Sequence, residues 1–537
     1  MNEDLKPVLI AGAGPTGMMA AIELTRFNIP VRLIDKNDKP ETTSRAVGVQ
    51  ARTLELLEQR GLASSLVKLG NPGLAVSIYG DGRRILRLEF ERISSKYNYL
   101  LFVSQAETEN VLREALDKAG ITIERNLTFL ALGQADRDTK LTAVLEQKDG
   151  SLEQFECSYL IDAEGAHSTA RGTVGLHFEG KSLVEDYALG DLHIGADLIE
   201  TDSHIFSSEH GFLALFPMGG RRFRLMASNP ISKPAMETPP SLEELQQIYD
   251  QRSYIPAKFH DMSWSSWFRI NSRMVGRLQV GRVFLGGDSA HIHSPAGAQG
   301  MNTGMQDMMN LCWKLAMVMK GQAKPALLET YTKERVPVIQ NVLRKTEGLT
   351  HAIGSENTLF RSVFNYVAPW LVSMENIQQN TTEHMSQLAV NYRESPLSSS
   401  SGHSGELRAG DRLPDFPVTV LNRAGSTEQQ PRPATIFSLL NPSCFTLLYS
   451  SVPDPAKTHS EIQSAIGPWH ALVRGQQIAV APGQHGFEKY FGASPSIVLV
   501  RPDGYVAFTG SDTSVAKLAE YCSKWLLPQT PSAKMAA

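Results

Sequence analysis

Residues 281–315 read GRVFLGGDSAHIHSPAGAQGMNTGMQDMMNLCWKL: a short apolar strand, an acid at its end, a Pro-Ala-Gly turn and then a long helix. The stretch constrains the fold because a second glycine-rich unit stands near the other end of the sequence. There Val8-Leu9-Ile10-Ala11 is the kind of apolar run that a parallel strand buried on both faces needs. Gly12-Ala13-Gly14-Pro15-Thr16-Gly17 follows at once and opens a helical run over 18–27. In that order Gly12 permits a tight turn, Gly14 lets the backbone approach a pyrophosphate, and Gly17 lets the helix pack closely on the strand. The helix N-terminus then offers unpaired N–H groups and a partial positive charge to phosphates. The next strand, 30–34, ends at Asp35, placed to accept from ribose hydroxyls, with Lys36 beside it. The two units together predict one elongated nucleotide pocket, held at one end near Gly14 and at the other near Gly300.

At 537 residues the chain is too long for a single ordinary core, and units of about 150 residues make three the expected number. It is 42% hydrophobic and 20% charged, the balance of a globular protein. A formal charge of −4 leaves no basic excess to hold nucleic acid or an anionic membrane. The acidic start runs directly into the first strand, so no signal peptide is expected, and no apolar run approaches the ~18 residues of a membrane span. Cys157, Cys312, Cys444 and Cys522 lie far apart without a C-x-x-C, as reduced structural thiols of a cytoplasmic protein would. His291 and His293 alternate along an extended segment with no third ligand at metal spacing, so no metal site is expected.

Three further segments lie between the glycine units. Residues 44–61 form a loop and a helix carrying Arg45 and Arg52, two candidate phosphate contacts. Ser104-Gln105-Ala106-Glu107 is a capping box that sets Gln105 in the first turn of a helix. Tyr159-Leu160-Ile161 is a buried strand that leads into Asp162-Ala163-Glu164-Gly165, with Arg171 shortly after.

In this order the segments resemble the single-component (class A) FAD-dependent aromatic hydroxylases, the family of para-hydroxybenzoate and phenol hydroxylases. The resemblance covers roughly residues 5–345. It continues more weakly through Gly410-Asp411-Arg412-Leu413-Pro414-Asp415 and Val500-Arg501-Pro502-Asp503-Gly504, which look like the terminal domain of phenol and polyketide hydroxylases. It implies an α/β fold: a Rossmann-like FAD-binding domain (1–175 and 266–394, with a helical extension over 345–394), an inserted β-sheet substrate domain (176–265 with part of 72–103), a Ser/Gly-rich linker at 395–410, and a thioredoxin-like α/β domain at 411–537. That last domain has no redox cysteine pair, so a structural or dimer-supporting role is expected.

The resemblance also assigns residues. Gly12, Gly14, Pro15, Thr16 and Gly17 match the phosphate loop, Asp35 and Lys36 the ribose end, and Arg45 and Gln105 further cofactor contacts. Asp288 matches the acid beside the ribityl chain. Pro295, Gly297, Gly300, Met301 and Asn302 match the loop along the isoalloxazine ring, where a helix N-terminus would stabilise the charge of reduced flavin. One motif departs from the family pattern. Where the family has Gly-Ala-Asp-Gly this chain has Asp162-Ala163-Glu164-Gly165, and two acids near phosphates repel them unless Arg171 or Arg45 compensates. Altered nicotinamide binding is the expectation.

Substrate contacts are sought on the inserted sheet, at Tyr79, Phe206, Phe216 and Arg224, whereas Trp264 and Trp267 read as core. The implied reaction uses non-covalent FAD, NADH or NADPH as a transient co-substrate, and O2, and hydroxylates a phenolic or polycyclic aromatic compound through a flavin hydroperoxide. No second G-x-G-x-x-G exists to hold the nicotinamide. No side chain stands out as the base, and a backbone–water relay through Pro295 is the candidate. Baeyer–Villiger, epoxidising or antibiotic-inactivating oxygen insertion, a flavin reductase and a flavin-binding sensor are the alternatives. A homodimer is compatible with all of them.

Overall fold

The computed structural model describes residues 5–40, 46–80, 82–133, 140–229, 238–292, 299–353, 375–402, 404–423, 431–450, 455–480, 486–492 and 495–529. Arg45, His293, Pro295 and Gly297 lie outside the described residues.

A six-stranded sheet organises the cofactor half, in the order 279–280, 283–285, 159–162, 8–11, 31–35, 123–125. Val8–Ala11 runs parallel to both Val31–Asp35 and Tyr159–Asp162, and Tyr159–Asp162 runs parallel to Val283–Leu285. Every parallel strand therefore ends on the same edge, and Gly12, Asp35, Ala163 and Gly286 all emerge there. Val8, Leu9 and Ile10 are fully buried, as the unbroken apolar run requires. The helices Pro15–Arg26 and Gly300–Met319 pack on each other, and the Cys312 thiol donates to the carbonyl of Ala20 at 3.8 Å.

The second sheet has eight strands, in the order 291–292, 257–274, 179–196, 222–229, 211–219, 202–208, 75–80, 83–89. Its two faces follow the period-two alternation of strands. One face packs under the helix Leu242–Arg252, where Leu192, Phe206, Leu215 and Phe223 meet Leu245 and Tyr249. That helix starts with a full capping box between Ser241 and Glu244. The other face carries Tyr187, Leu189, Met226 and Phe268 and looks toward the cofactor half.

The C-terminal sheet has seven strands, in the order 399–401, 506–511, 496–500, 445–449, 473–480, 417–423, 432–435. Its centre is thioredoxin-like: Phe445–Tyr449 runs parallel to Val473–Val480 and antiparallel to Ser496–Val500, with the helices 455–466 and 515–525 packed against each other. Ser399–Ser401 falls inside the predicted linker but forms an edge strand, paired with 508–510. Serine hydroxyls explain the difference, because Thr509 donates to Ser400 Oγ and Ser514 to the Ser401 carbonyl.

A buried ionic seam joins this domain to the cofactor half. Glu334 accepts from Arg501 at 2.6 and 2.9 Å, from Lys314 Nζ at 2.7 Å, and from Ser395 Oγ at 2.6 Å. Asp503 takes two further bonds from Arg501 and one from Trp313 Nε1 at 3.1 Å. Arg52 belongs to the same seam. It donates to Glu55 and to the Asp503 carbonyl and lies over the Tyr505 ring, so it is an interdomain contact and not a phosphate ligand.

All four cysteines are buried and unpaired with one another, and burial pushes Cys157 and Cys522 up to about 12 and Cys444 up to about 11. They carry no thiolate at neutral pH. Among the described residues no helix is long and apolar enough to cross a membrane.

Candidate active site

A cavity of about 690 Å³ runs from the glycine loop at residues 12–16, along the C-terminal edge of the six-stranded sheet, to the inner face of the eight-stranded sheet. Gly12, at φ +101, makes the turn out of the first strand, and a Cβ there would stand 2.2 Å from the Ala163 carbonyl oxygen. A Cβ on Gly17 would stand 1.8 Å from the Gly12 oxygen. Gly14 differs: a Cβ on it meets no protein atom within 4 Å, because its open side faces the cavity. The loop is thus pressed against protein at two glycines and bare at the third, as a cradle for a phosphate chain at a helix N-terminus has to be.

Asp35 is engaged from the loop itself. Its Oδ2 accepts from Ala13 N at 2.7 Å and its Oδ1 from Asn37 N at 2.8 Å, while Lys36 lines the same part of the wall. Gln105 enters at the start of its helix, behind the Ser104 cap, and donates to Glu109 at 2.9 Å.

The two distant glycine segments meet on Thr16. A Cβ on Gly287 would lie 2.4 Å from Thr16 Oγ1, and one on Gly304 would lie 2.5 Å from it. Asp288 sits exposed in the short turn Gly287–Ser289 and lines the cavity. That turn is held from behind by Asp307, a side chain the sequence reading missed. Asp307 accepts from Gly287 N at 3.0 Å and pairs with His291 Nε2 and Arg335 Nε, each at 2.7 Å, with all three side chains fully buried. Despite burial, Arg335 and then His291 hold its carboxyl below the usual range. His291 is therefore a structural partner of an acid.

Gly300 and Met301 line the cavity at the start of the long helix. Asn302 has another task. It is fully buried, donates to the Gly48 carbonyl at 2.8 Å and accepts from Gln50 N at 2.9 Å, which ties the 48–50 segment to the helix start.

The departing motif resolves into a compact acid pair. Asp162 is buried and accepts from Ser168 Oγ at 2.6 Å and Glu164 N at 3.1 Å. Glu164 lines the cavity and accepts from Ala170 N at 2.8 Å. Burial, followed by the charge of Asp162, pushes Glu164 up to about 7. Arg171 does not bridge either acid; it donates to the carbonyls of Ser289 and Ala166, both at 3.0 Å. N–H and O–H donors around both carboxylates and the raised value of Glu164 relieve the repulsion in part.

At the sheet end the wall is Leu189, Phe216, Met226, Trp264 and Phe268, with Ser266 and Arg224 as polar points. Arg224 forms two 2.7 Å bonds with Asp191 and lies over the Trp264 ring. Two sequence candidates face the other way. Tyr79 and Phe206 are cross-strand partners, stacked at 4.6 Å under the helix Leu242–Arg252, and neither reaches the cavity. Phe216 lies on the opposite face because it is offset by an odd number of rungs. Trp264, read as core, is instead a cavity wall residue. The alternation 264, 266, 268 sets Trp264 on one face with Phe268, and Trp267 packs on the helix side.

Residues 6–346 match a family described as FAD binding domain, and residues 407–528 match one described as aromatic-ring hydroxylase, C-terminal. The chain belongs to the FAD-dependent aromatic-ring hydroxylases. It is 31% identical to a 6-methylpretetramide 4-monooxygenase of Streptomyces rimosus, over 97% of this chain and 94% of that one. It is likewise 31% identical to a pentachlorophenol 4-monooxygenase of Sphingobium chlorophenolicum, over 96% and 89%. Among solved structures, an anhydrotetracycline hydroxylase from Streptomyces rimosus superposes with a TM-score of 0.76 at 26% identity, covering 98% of this chain and all of that one. As a member of the family the hydroxylase is a flavoprotein monooxygenase, and its cofactor is FAD. The residues present fit that group: a bare Gly14 at a helix N-terminus, acids at Asp35 and Asp288, and one continuous cavity between them.

Proposed function

We propose that this hydroxylase acts on a flat phenolic compound of more than one ring, bound between the start of the Gly300–Met319 helix and the inner face of the eight-stranded sheet. The observation that carries the reading is the make-up of that wall. Five apolar or aromatic side chains surround a single arginine–carboxylate pair, so an extended ring system has large surfaces to cover and one place to direct a polar substituent. When bound, FAD supplies the redox chemistry that takes hydride from NAD(P)H and activates dioxygen.

The chain's own residues do the rest. Gly12, Gly14, Pro15, Thr16 and Gly17 present the N-terminus of the first helix to the pyrophosphate. Asp35 and Lys36 address the adenosine ribose, Gln105 lies beside them, and Asp288 accepts from the ribityl hydroxyls. Gly300 and Met301 bring the N–H groups of the second helix toward the isoalloxazine edge, where the helix dipole favours negative charge. Glu164, pushed up to about 7 by burial and then by Asp162, carries less than a full negative charge at neutral pH, which lowers the charge that an incoming nicotinamide nucleotide meets. Leu189, Phe216, Met226 and Phe268 exclude water, and Trp264 stacks on the substrate while Arg224, fixed by Asp191, orients its polar edge.

The test is product formation by the yellow, FAD-loaded protein, supplied with NADPH or NADH and a panel of one-ring to four-ring phenols. Faster nicotinamide oxidation, matched mole for mole by hydroxylated product and strongest with fused rings, is the expected result. Oxidation without oxygenated product from any phenol would refute the reading.

A further inference from the structure

The inner face of the eight-stranded sheet does not end at the cavity. Leu189, Asp191 and His193 follow one another at the strand period, so His193 stands one rung beyond Asp191 on the same face. Its cross-strand partner is His260, and the two rings stack at 5.3 Å. Between this rung and the next the pairing is irregular. Asp191 faces Trp264 while His193 faces His260, so Leu192 alone on one strand opposes Asp261, Met262 and Ser263 on the other. Asp261, inside the extra loop of chain, has φ +49. Consecutive residues of a regular strand point to opposite faces; the left-handed turn at Asp261 brings its carboxylate round to His260, with Nδ1 to Oδ2 at 2.8 Å. Bulges re-aim side chains in this way.

One ring nitrogen from each histidine and one carboxylate oxygen of Asp261 all lie within 4.8 Å of one another. His193 Nδ1 is 3.8 Å from Asp261 Oδ2, and that nitrogen is buried with no hydrogen-bond partner. A buried polar atom without a protein partner is met by an ordered water or an ion, and here the exposed His260 and Asp261 beside it leave the site open to either. Zinc bonds of about 2.0–2.2 Å at tetrahedral angles put neighbouring ligand atoms roughly 3.3–3.6 Å apart. The observed 2.8 and 3.8 Å bracket that spacing, so small side-chain shifts suffice. The charged neighbour across the rung, Arg222, faces His193 in register and donates to Ser263 Oγ at 3.3 Å.

We propose that His193, His260 and Asp261 form a binding site for a divalent transition metal of zinc-like chemistry. Two neutral imidazoles and one carboxylate supply three ligands, and the fourth position is open to water or to an incoming donor. The metal takes the place of the hydrogen bond between His260 Nδ1 and Asp261 Oδ2. Hard cations such as magnesium and calcium, which want all-oxygen ligands, are excluded by the two nitrogens. The site has a structural consequence within reach of the substrate wall. Ser263 donates to the Asp191 carbonyl, and the next residue is Trp264, so an ion here pins the irregular loop that carries the tryptophan.

The experiment uses the FAD-loaded full chain, free of any affinity tag, stripped with a chelator and titrated with zinc, with a parallel cobalt titration followed by absorption beyond the flavin bands. The expected result is one zinc per chain, visible bands of tetrahedral cobalt, and no competition from a large excess of magnesium. The double variant His193→Asn with His260→Asn should weaken zinc by at least ~100-fold, since loss of a mere outer partner of a ligand already costs roughly 10–100-fold. Asp261→Asn should weaken it less and leave the cobalt spectrum altered. A flavin spectrum like that of the parent certifies that each variant is folded. Zinc stoichiometry and affinity equal in the parent and the double variant, or no retained zinc in either, would overturn the assignment.

Discussion

Replacing Gly14 by alanine separates two jobs that a glycine in a phosphate loop can have. Gly14 has φ −75 and ψ −176, a conformation open to any residue, and its Cβ direction meets no protein atom within 4 Å. Gly14→Ala should therefore leave the apo-protein as stable as the parent, or raise its stability by about 0.4–1 kcal/mol through the unfolded chain. The added methyl instead enters the space assigned to the pyrophosphate, where overpacking costs about 1–3 kcal/mol, or roughly 5–150-fold in the FAD dissociation constant. Gly17 is the control. Its Cβ would lie 1.8 Å from a backbone oxygen that cannot rotate away, so helix and strand must separate. Gly17→Ala should cost about 3 kcal/mol or more in the apo-protein itself. Thermal melts of the two apo-variants, with FAD titrations followed by flavin fluorescence, read both quantities. A Gly14→Ala protein that binds FAD like the parent, or that melts as early as Gly17→Ala, would refute the placement of the phosphates.

Three other outcomes follow from geometry. Arg501→Met leaves Glu334, held well below the usual carboxylate range despite its burial by Arg501 and Lys314, with one of these two cations and two of its hydrogen bonds gone. A loss of about 3–5 kcal/mol is expected in urea unfolding, as for any buried pair broken on one side. Glu164 has a folded value of about 7 against an ordinary 4.5, so its proton favours the folded state; stability is lost as pH rises from about 4.5 through about 7. Melting the apo-protein at pH 5 and pH 8 should therefore show a drop that is smaller in Glu164→Gln, and equal drops would contradict the raised value. Trp264→Ala removes a stacking surface worth about 0.5–1.5 kcal/mol, so KM for a fused-ring phenol should rise roughly 2–12-fold. Product formed per nicotinamide oxidised should fall with it as water enters.

The glycine units could be read because each of their residues answers a local need. A strand buried on both faces leaves no polar residue at Val8–Ile10, and a turn pressed against Ala163 leaves no choice but glycine at position 12. Roles that depend on distant partners were not legible. Arg52 reads as a cation near a phosphate loop, yet Glu55, Asp503 and Tyr505 claim it from a domain that lies far along the chain. Strand periodicity did not tell which of Phe206 and Phe216 would face the cavity, since the two lie on different strands and both sides of this sheet are apolar. Trp264 was hidden for the same reason. Asn302 carries the motif of a flavin loop, but its amide reads the backbone at Gly48 and Gln50. Composition marks 395–410 as a Ser/Gly-rich linker, whereas at Ser399–Ser401 the neighbouring strand supplies partners for hydroxyls and backbone alike.

Glu334 and Arg335 are adjacent on one helix and are gripped from opposite directions. The first is clasped by Arg501 of the thioredoxin-like domain; the second clasps Asp307, which steadies the Gly287 turn beneath Asp288. Anyone trimming this enzyme to its flavin-binding part would strand Lys314 and Glu334 on a newly wetted face and unsettle the Gly287–Ser289 turn that carries Asp288 into the cavity. A shortened version would need that patch redesigned, with uncharged side chains of matching volume, before it could hold its colour.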